Sequence, residues 1–556
     1  MATQDSNNSM AAYAVSILIS SFVFYAIYLV LLHPLHEYPG PFLAKLTDWY
    51  AGSHAFGKTL HLMIHKNHVK YGENTYSQTQ SNGMISDYDF DRVLSGSVIR
   101  LAPNRLVFNT VTALHGDIYK NDCVSKSYTY RPSGARTTEN IFTTQDKTVH
   151  RGKRRIVGAA LSDRATKSLE PLVTRQVDVY LKRLLESSQA SELVNFTERA
   201  RWLALDIIGN VSFGYHLETQ TKEENRFAAN AIASGLYRSN IMHHLYYLSR
   251  ILLHKITDTL VFRYREKYWR LLEKMIESRV ARGKDGDRDF YSFISELSAE
   301  EGSIRQGELF SEATVLMVAG SDTTATALSA TFFYLSRNPE CYEKLCTEIR
   351  SAFASGQDIK TGPQLAGCRY LRACLDEGMR MSPPVPGTLW RIQDPSDEQP
   401  LVIDGHVMPK GTLIGVSTYA IHHNEEYFPD SFAFKPERWL AAGTSSEQDA
   451  AAKRMHDAFA VFSTGSRSCA GKALAYMEST LVLAKTLWYF DFESVPGKLG
   501  DVGGGRLGGP PGRSRPDEYQ LGDIFTASHD GPYLKFRTRG EQWRDLESAA
   551  YIDQNM

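Results

Sequence analysis

Hydrophobic positions first form one unbroken block. From Ala11 to Leu32 no charged residue occurs, and as a helix this stretch reaches about 33 Å, enough to cross the hydrocarbon core of a bilayer. It lacks the polar stripe of a helix packed in a globular core, exceeds a signal-peptide apolar region, and no A-x-A-like site follows it. His33-Pro34 and Tyr38-Pro39-Gly40-Pro41-Phe42 come next, a rigid break expected to let a globular body swing against a membrane anchor. Beyond it the pattern shortens to alternating segments, Val98 to Pro103 and Arg105 to Phe108, which predict strands joined by turns. From Gln145 to Leu389 three-to-four spacing takes over, as in Ser168 to Glu186, Phe262 to Arg282 and Phe310 to Ser336. A mixed segment spans Leu401 to Trp439, and a last long helix opens near Cys469 and continues to about Phe490.

This order predicts a mainly α fold with small β-sheets, one large α-rich domain behind a transmembrane helix. The expected divisions are a tail at 1–10, the anchor at 11–32, a proline-rich hinge at 33–44, the main domain at 45–540 and a tail at 541–556. Two stretches read as additions. The polar, turn-rich segment Glu73 to Gly96 interrupts what otherwise runs smoothly from Lys70-Tyr71-Gly72 into Ser97-Val98, which suggests an insertion or a retained intron. Gly497 to Gly512 holds eight glycines with Pro510 and Pro511 and is expected to be a surface loop. Its formal G-x-G-x-x-G has no strand leading in and no helix leading out, so it carries no weight.

Composition narrows the function. With 556 residues, 42% hydrophobic, 22% charged and a net charge of −1, the chain is neither disordered nor a nucleic-acid binder acting through bulk charge. Six scattered cysteines without a C-x-x-C pair oppose a disulfide framework, a structural zinc site or a redox dithiol. They place the body in a reducing compartment, and Lys45 beside the anchor favours the same cytosolic side. Asn195 and Asn210 head glycosylation sequons that a cytosolic body leaves unused, whereas Asn7 would be lumenal. His61, His65 and His68 share one helical face, but no carboxylate or cysteine joins them, so the expectation is a solvated face rather than a metal site.

The chemistry concentrates in Phe462-Ser463-Thr464-Gly465-Ser466-Arg467-Ser468-Cys469-Ala470-Gly471. It sets a cysteine at a helix N-terminus, where the dipole and free N–H groups favour a thiolate and make it a good iron ligand. Gly465 permits a tight turn, Gly471 lets a flat cofactor approach the backbone, and Arg467 offers a planar fork for a carboxylate.

The spacing Phe-x-x-Gly-x-Arg-x-Cys-x-Gly resembles the haem-binding loop of the cytochrome P450 family, and two further segments strengthen the likeness. Glu377-Gly378-Met379-Arg380 is similar to that family's E-x-x-R, and Pro436-Glu437-Arg438-Trp439 to its P-E-R-F/W, so Arg438 is expected to close a buried charge network with Glu377 and Arg380. The resemblance implies the cytochrome P450 fold and haem b with Cys469 as axial iron ligand. It also implies O2 as co-substrate, and electrons from NADPH through a separate membrane-bound reductase. Ala319 to Thr324 resembles the oxygen-activation motif, in which Gly320 would open a groove for dioxygen. Thr323 would hydrogen-bond to the oxygen being activated, and Asp322 would relay protons from solvent. Haem carboxylates would be held by Arg154, by His150 in place of the family's tryptophan, and by Arg391. By the same analogy a lipophilic substrate lies among His115 to Arg131, Tyr215 to Leu252, Val315 to Thr323, Val385 to Leu389 and Phe525-Thr526. The anchor and His422 to Asp430 resemble filamentous-fungal members that tailor secondary metabolites, which implies an endoplasmic-reticulum membrane and no nucleic-acid partner. A haem-thiolate isomerase or dehydratase that uses no O2, and a non-catalytic haem-binding protein, remain alternatives at this point.

Overall fold

Long amphipathic and apolar helices carry most of the chain, because the three-to-four spacing persists over many turns and capping residues stop it cleanly. The computed structural model describes residues 2–76, 97–131, 138–248, 254–283, 289–292, 306–440 and 445–547. The longer helices are α1 (Ala2–Ile27), α2 (Leu60–Tyr76), α3 (Lys147–Ala160), α4 (Asp163–Gln189), α5 (Phe196–Phe213), α6 (Phe227–His244), α7 (His254–Ala281), α8 (Gln306–Arg337), α9 (Pro339–Ala352), α10 (Arg369–Met381), α11 (Ser446–Ala458) and α12 (Lys472–Tyr489). Side-chain caps start several of them. Asp146 accepts the Thr148 and Val149 amides at the head of α3, and Ser162 accepts the Ala165 amide at the head of α4, each satisfying donors the helix leaves open.

The strands are β1 (Val98–Ala102), β2 (Arg105–Phe108), β3 (Val124–Lys126), β4 (Leu193–Asn195), β5 (Arg391–Gln393), β6 (Leu401–Ile403), β7 (His406–Met408), β8 (Leu413–Val416), β9 (Phe490–Ser494), β10 (Gly522–Ile524), β11 (Thr526–Ser528) and β12 (Tyr533–Thr538). Five form one sheet in the order β1-β2-β8-β5-β3, three form β4-β12-β9, and β6-β7 and β10-β11 pair separately. β2 pairs with β8 in parallel, and every other pairing is antiparallel. The main core wraps α8, where Phe332 stacks on Phe196 of α5 at 4.0 Å between ring centroids.

Among the described residues one helix, Ala12–Leu32, is long and apolar enough to cross a membrane, and it ends in a π turn over Tyr28–Leu32. The proline-rich segment after it is no free swing joint. Arg100 of β1, fully buried, donates from Nη1 to the carbonyls of Leu29 (3.1 Å) and Leu35 (3.2 Å), and its amide bonds Pro39 O at 2.7 Å. A Cβ on Gly40 would sit 2.3 Å from Arg100 O. Backbone against backbone, locked by a guanidinium, makes 33–44 a clamp.

Three other expectations change. α2 continues to Tyr76, past the expected break at Glu73, and the rest of 73–96 lies outside the described residues. The glycines of 497–512 follow from close packing as well as turning: a Cβ on Gly500 would meet Val495 O at 1.7 Å, and one on Gly505 would meet Arg515 O at 2.4 Å. The histidine face of α2 points inward. His61 and His68 are fully buried, and His61 and His65 lie edge-on to Tyr419, with His65 also against His423. Neutral imidazole packs as an aromatic ring there, which the simple rule that histidine faces solvent overlooks.

That burial has a pH consequence. Burial, with nearby Arg or Lys charge or another His, holds His65, His243 and His422 at about 3 and His61, His244 and His423 well below their usual value of 6.5. A folded pKa below the unfolded one means that the unfolded chain binds more protons between the two values. Stability is therefore full above pH 6.5 and is lost as pH falls below it, each such histidine approaching about 1.4 kcal/mol per pH unit. Urea unfolding of detergent-solubilised protein at pH 8.5, 7.5 and 5.5 is expected to show a midpoint nearly constant across the first step and lower after the second.

Candidate active site: a cysteine loop facing a cationic cleft

The cysteine loop is built by its glycines. Gly465 has φ +77°, and a Cβ there would fall 1.9 Å from Tyr119 O, so only glycine fits. The turn closes with Cys469 N–H donating to Phe462 O at 2.8 Å. Phe462 packs on Tyr476 of α12, fixing the loop to the helix it opens. The Gly471 amide donates to the Cys469 sulfur, and Arg154 and Lys472 stabilise negative charge on it. Burial outweighs all three and pushes the free thiol up. The expected thiolate is thus set by the metal it would bind rather than by the helix terminus.

Around the loop the positive residues converge. Arg467 donates to Thr144 O (2.7 Å) and Gln145 O (3.0 Å), and burial beside Arg391 lowers it to about 10. Arg391 is buried, donates to Trp390 O, and lies over the Tyr119 ring. Lys126 of β3, absent from the sequence reading, is buried against Phe142 and pushed well down by burial and by Arg391 and Arg467. His150 is buried in the same field and lowered to about 4, burial first and then Arg467, Arg154, Lys126 and Arg391. Arg154 donates to Ser468 O, next to the cysteine, so its reach is toward the loop.

Three features fit a haem at this site. Cys469 is surrounded by protein, yet it remains exposed. Nothing stands within 4 Å of where a Gly471 Cβ would be. Among the described residues Lys126, Arg391 and Arg467 make no ion pair with a carboxylate, and so much unpaired buried positive charge calls for an anionic partner such as two propionates.

The charge network sits behind this loop on α10. Glu377 and Arg380, fully buried, make a bidentate pair at 2.9 Å twice. Glu377 also accepts Arg438 Nε (3.0 Å), Trp439 Nε1 (3.0 Å) and the Lys435 amide (3.0 Å). Against the cost of burial, Arg380 and Arg438 hold Glu377 below the usual carboxylate range.

On α8 the expected oxygen motif is arranged differently from the sequence reading. At Gly320 a Cβ would meet Ile208 Cδ1 of α5 at 2.5 Å, so the glycine lets two helices approach. Its neighbour Ala319 is the exposed position. Thr323 Oγ1 donates back to Ala319 O at 2.5 Å. Asp322 does not reach solvent. It is buried, its Oδ2 accepts Thr526 Oγ1 from the β10-β11 hairpin, and burial raises its pKa, with Arg201 and the Thr526 hydrogen bond pulling it back. Glu478 of α12, unremarked in sequence, is buried beside Thr324, whose hydroxyl bonds it, and burial raises it to about 8. It is therefore a neutral acid at pH 7.

Removing Glu377 leaves Arg380 and Arg438 facing each other without a counter-charge, at a cost of about 3–5 kcal/mol. Glu377→Ala is expected to yield protein that is unfolded or unable to load haem, read by far-UV circular dichroism and Soret absorbance. Retention of a normal Soret band would show the network to be dispensable.

A family model described as Cytochrome P450 matches residues 103–500. The cytochrome P450 monooxygenase AKT7 of Alternaria alternata is 33% identical over 524 residues, covering 92% of this chain and 94% of its own. The monooxygenase poxM of Penicillium oxalicum is 35% identical over 520 residues, covering 92% and 91%, and apf7 of Gibberella fujikuroi is 33% identical over 553 residues, covering 95% and 97%. With the cysteine loop, the cationic cleft and the Glu377 network in place, this chain belongs to the cytochrome P450 family.

Proposed function

We propose that this chain is a membrane-anchored monooxygenase that inserts one oxygen atom from O2 into a lipophilic small molecule, as a tailoring hydroxylase or oxidase of fungal secondary metabolism. The observation that carries the reading is the exposed Cys469 in its glycine-built loop, with Arg467, Arg154, Lys126 and Arg391 gathered around His150 and, among the described residues, no carboxylate ion pair to Lys126, Arg391 or Arg467. Cys469 would hold haem iron, Arg391, Arg467 and Lys126 its propionates, and Arg154 and His150 would flank them. Bound haem supplies the activation of O2 for attack on an unactivated carbon.

The chain's own part is to position, to exclude water and to hold protons. Tyr130, Phe142, His243 and Phe525 gather with ring centroids 4.7–6.4 Å apart, an aromatic wall suited to a lipophilic ligand. Asp322 holds a proton more readily than an exposed carboxylate, beside Thr526, and Thr323 offers its hydroxyl once it leaves Ala319 O. The apolar helix Ala12–Leu32 fits a single-pass anchor in the endoplasmic reticulum with the body in the cytosol, where a separate reductase delivers electrons from NADPH.

Two measurements test this. The carbon monoxide difference spectrum of dithionite-reduced protein is expected to show a strongly red-shifted Soret band that Cys469→Ala abolishes; an unshifted band in folded wild type would remove the thiolate from the site. With reductase and a turned-over substrate, Thr323→Ala and Asp322→Asn are expected to keep that spectrum while product formation falls on the order of 100-fold. Unchanged product per NADPH would strip both residues of the proton role.

A further inference from the structure

A second polar site lies beside the aromatic wall. The end of α6, the segment Val385 to Trp390 and the β10-β11 hairpin enclose a cavity of about 10 Å3, the size of a single oxygen-bearing group. Three side chains at its edge are more than nine-tenths buried and hold polar atoms without a hydrogen-bond partner: Asp523 Oδ2, Thr388 Oγ1 and Trp390 Nε1. Each such atom costs desolvation free energy unless something fills the gap.

The surroundings are built around the carboxylate. Asp523 Oδ1 accepts Asn240 Nδ2 of α6 at 3.0 Å and the Phe525 amide at 3.1 Å, and Asp523 O accepts Asn240 Nδ2 at 3.1 Å. The His61 amide also favours the charged form, although it completes no hydrogen bond to Oδ2. Gly387 leaves room in front of that oxygen, since a Cβ there would be 3.2 Å from it. Phe525, at the hairpin tip, holds φ +92°, a backbone conformation that costs energy and persists only where the surroundings enforce it. Its residue lines the cavity and its ring packs edge-on against Tyr130 and Phe142, and the next residue, Thr526, bonds Asp322 of α8. The hairpin tip thus joins the cavity to the helix of the proposed reaction site.

The open atoms define their complement. One carboxylate oxygen accepts, one indole N–H donates, and one hydroxyl does either. A hydroxyl group, with one hydrogen to give and two lone pairs to receive, satisfies all three. We propose that this cavity is a hydroxyl-binding subsite, and that the lipophilic substrate reaches the enzyme already bearing an alcohol, which Asp523, Thr388 and Trp390 hold while a distant carbon is oxidised. The enzyme then acts after an earlier oxygenation or carbonyl reduction in its reaction sequence. The proposal rests on the monooxygenase reading above and specifies its substrate class. Burial lifts the Asp523 carboxyl to about 6, which leaves it an acceptor at neutral pH.

The test uses haem-loaded full-length protein and matched probes: 4-phenylbutan-1-ol with butylbenzene, and 2-decalol with decalin, titrated by the Soret shift. Two variants accompany the wild type, Asp523→Leu and the nearly isosteric Thr388→Val, the second chosen because it leaves the Asn240 bonds intact. The expected result is that both variants weaken alcohol binding by about tenfold or more while hydrocarbon affinity stays within about twofold. If alcohol and hydrocarbon respond alike in wild type and variants, or no alcohol shifts the band, the cavity holds only solvent and the proposal falls. The carbon monoxide spectrum of the same samples separates this from failure of the broader reading, since a red-shifted band without alcohol discrimination overturns the subsite alone.

Discussion

Glu377 is a carboxylate taken wholly out of water, and the architecture on the cysteine side is arranged so that it can stay ionised. A buried charge is tolerable only when its counter-charges and donors are fixed in place. Here Arg380 is fixed by one turn of α10, and Arg438, Trp439 and the Lys435 amide by a short 3-10 segment. Arg380 carries the constraint further, donating to His422 O at 2.8 Å, while His422 Nδ1 meets Arg380 O at 3.0 Å and its Nε2 accepts the Ala460 amide at 2.9 Å. Ala460 begins the approach to Phe462 and Cys469. The position of the thiol therefore depends on a continuous set of bonds leading back to one carboxylate.

Around Thr323 the opposite side of the site relies on helix contacts. Gly320 lets α8 approach Ile208, Glu478 joins α12 to Thr324, and Thr526 ties the hairpin to Asp322. All three contacts act within about one turn of Thr323. A helix bearing a glycine, an acid and several hydroxyls in its middle is intrinsically weakened, and these neighbours restore what the local sequence gives up. Thr323 itself spends its hydroxyl on Ala319 O, a local bond that is easily exchanged for one to a ligand.

Legibility followed how local each interaction is. Cys469, Phe462 and Gly465 could be read because loop geometry imposes fixed spacing, and Glu377, Arg380 and Arg438 because their spacing matches a known pattern. Long helices such as α4 and α8 were visible from period alone, with ends displaced by a few residues where capping residues decide. Lys126 was invisible because a lone lysine in a three-residue strand has no pattern; only β3 pairing with β5 brings it to Arg391. The clamp at Arg100 was hidden for the same reason, since its acceptors lie 65 and 71 residues away. The histidines of α2 misled because imidazole has two physical uses, and the packing partner Tyr419 chooses between them.

The two sides meet in their electrostatics. The cations Lys126, Arg391 and Arg467 crowd one another, burial and like charge pushing Lys126 and Arg467 down, while Asp322 and Glu478 beside Thr323 are shifted toward their neutral forms by burial. Cations held this close together in low dielectric repel one another. A dianionic ligand placed there removes the repulsion, so ligand binding and the stability of this region are coupled. The clustered charge is then a selective device: neutral flat molecules gain apolar contact but leave the cations opposed, whereas a ligand bearing two carboxylates gains both.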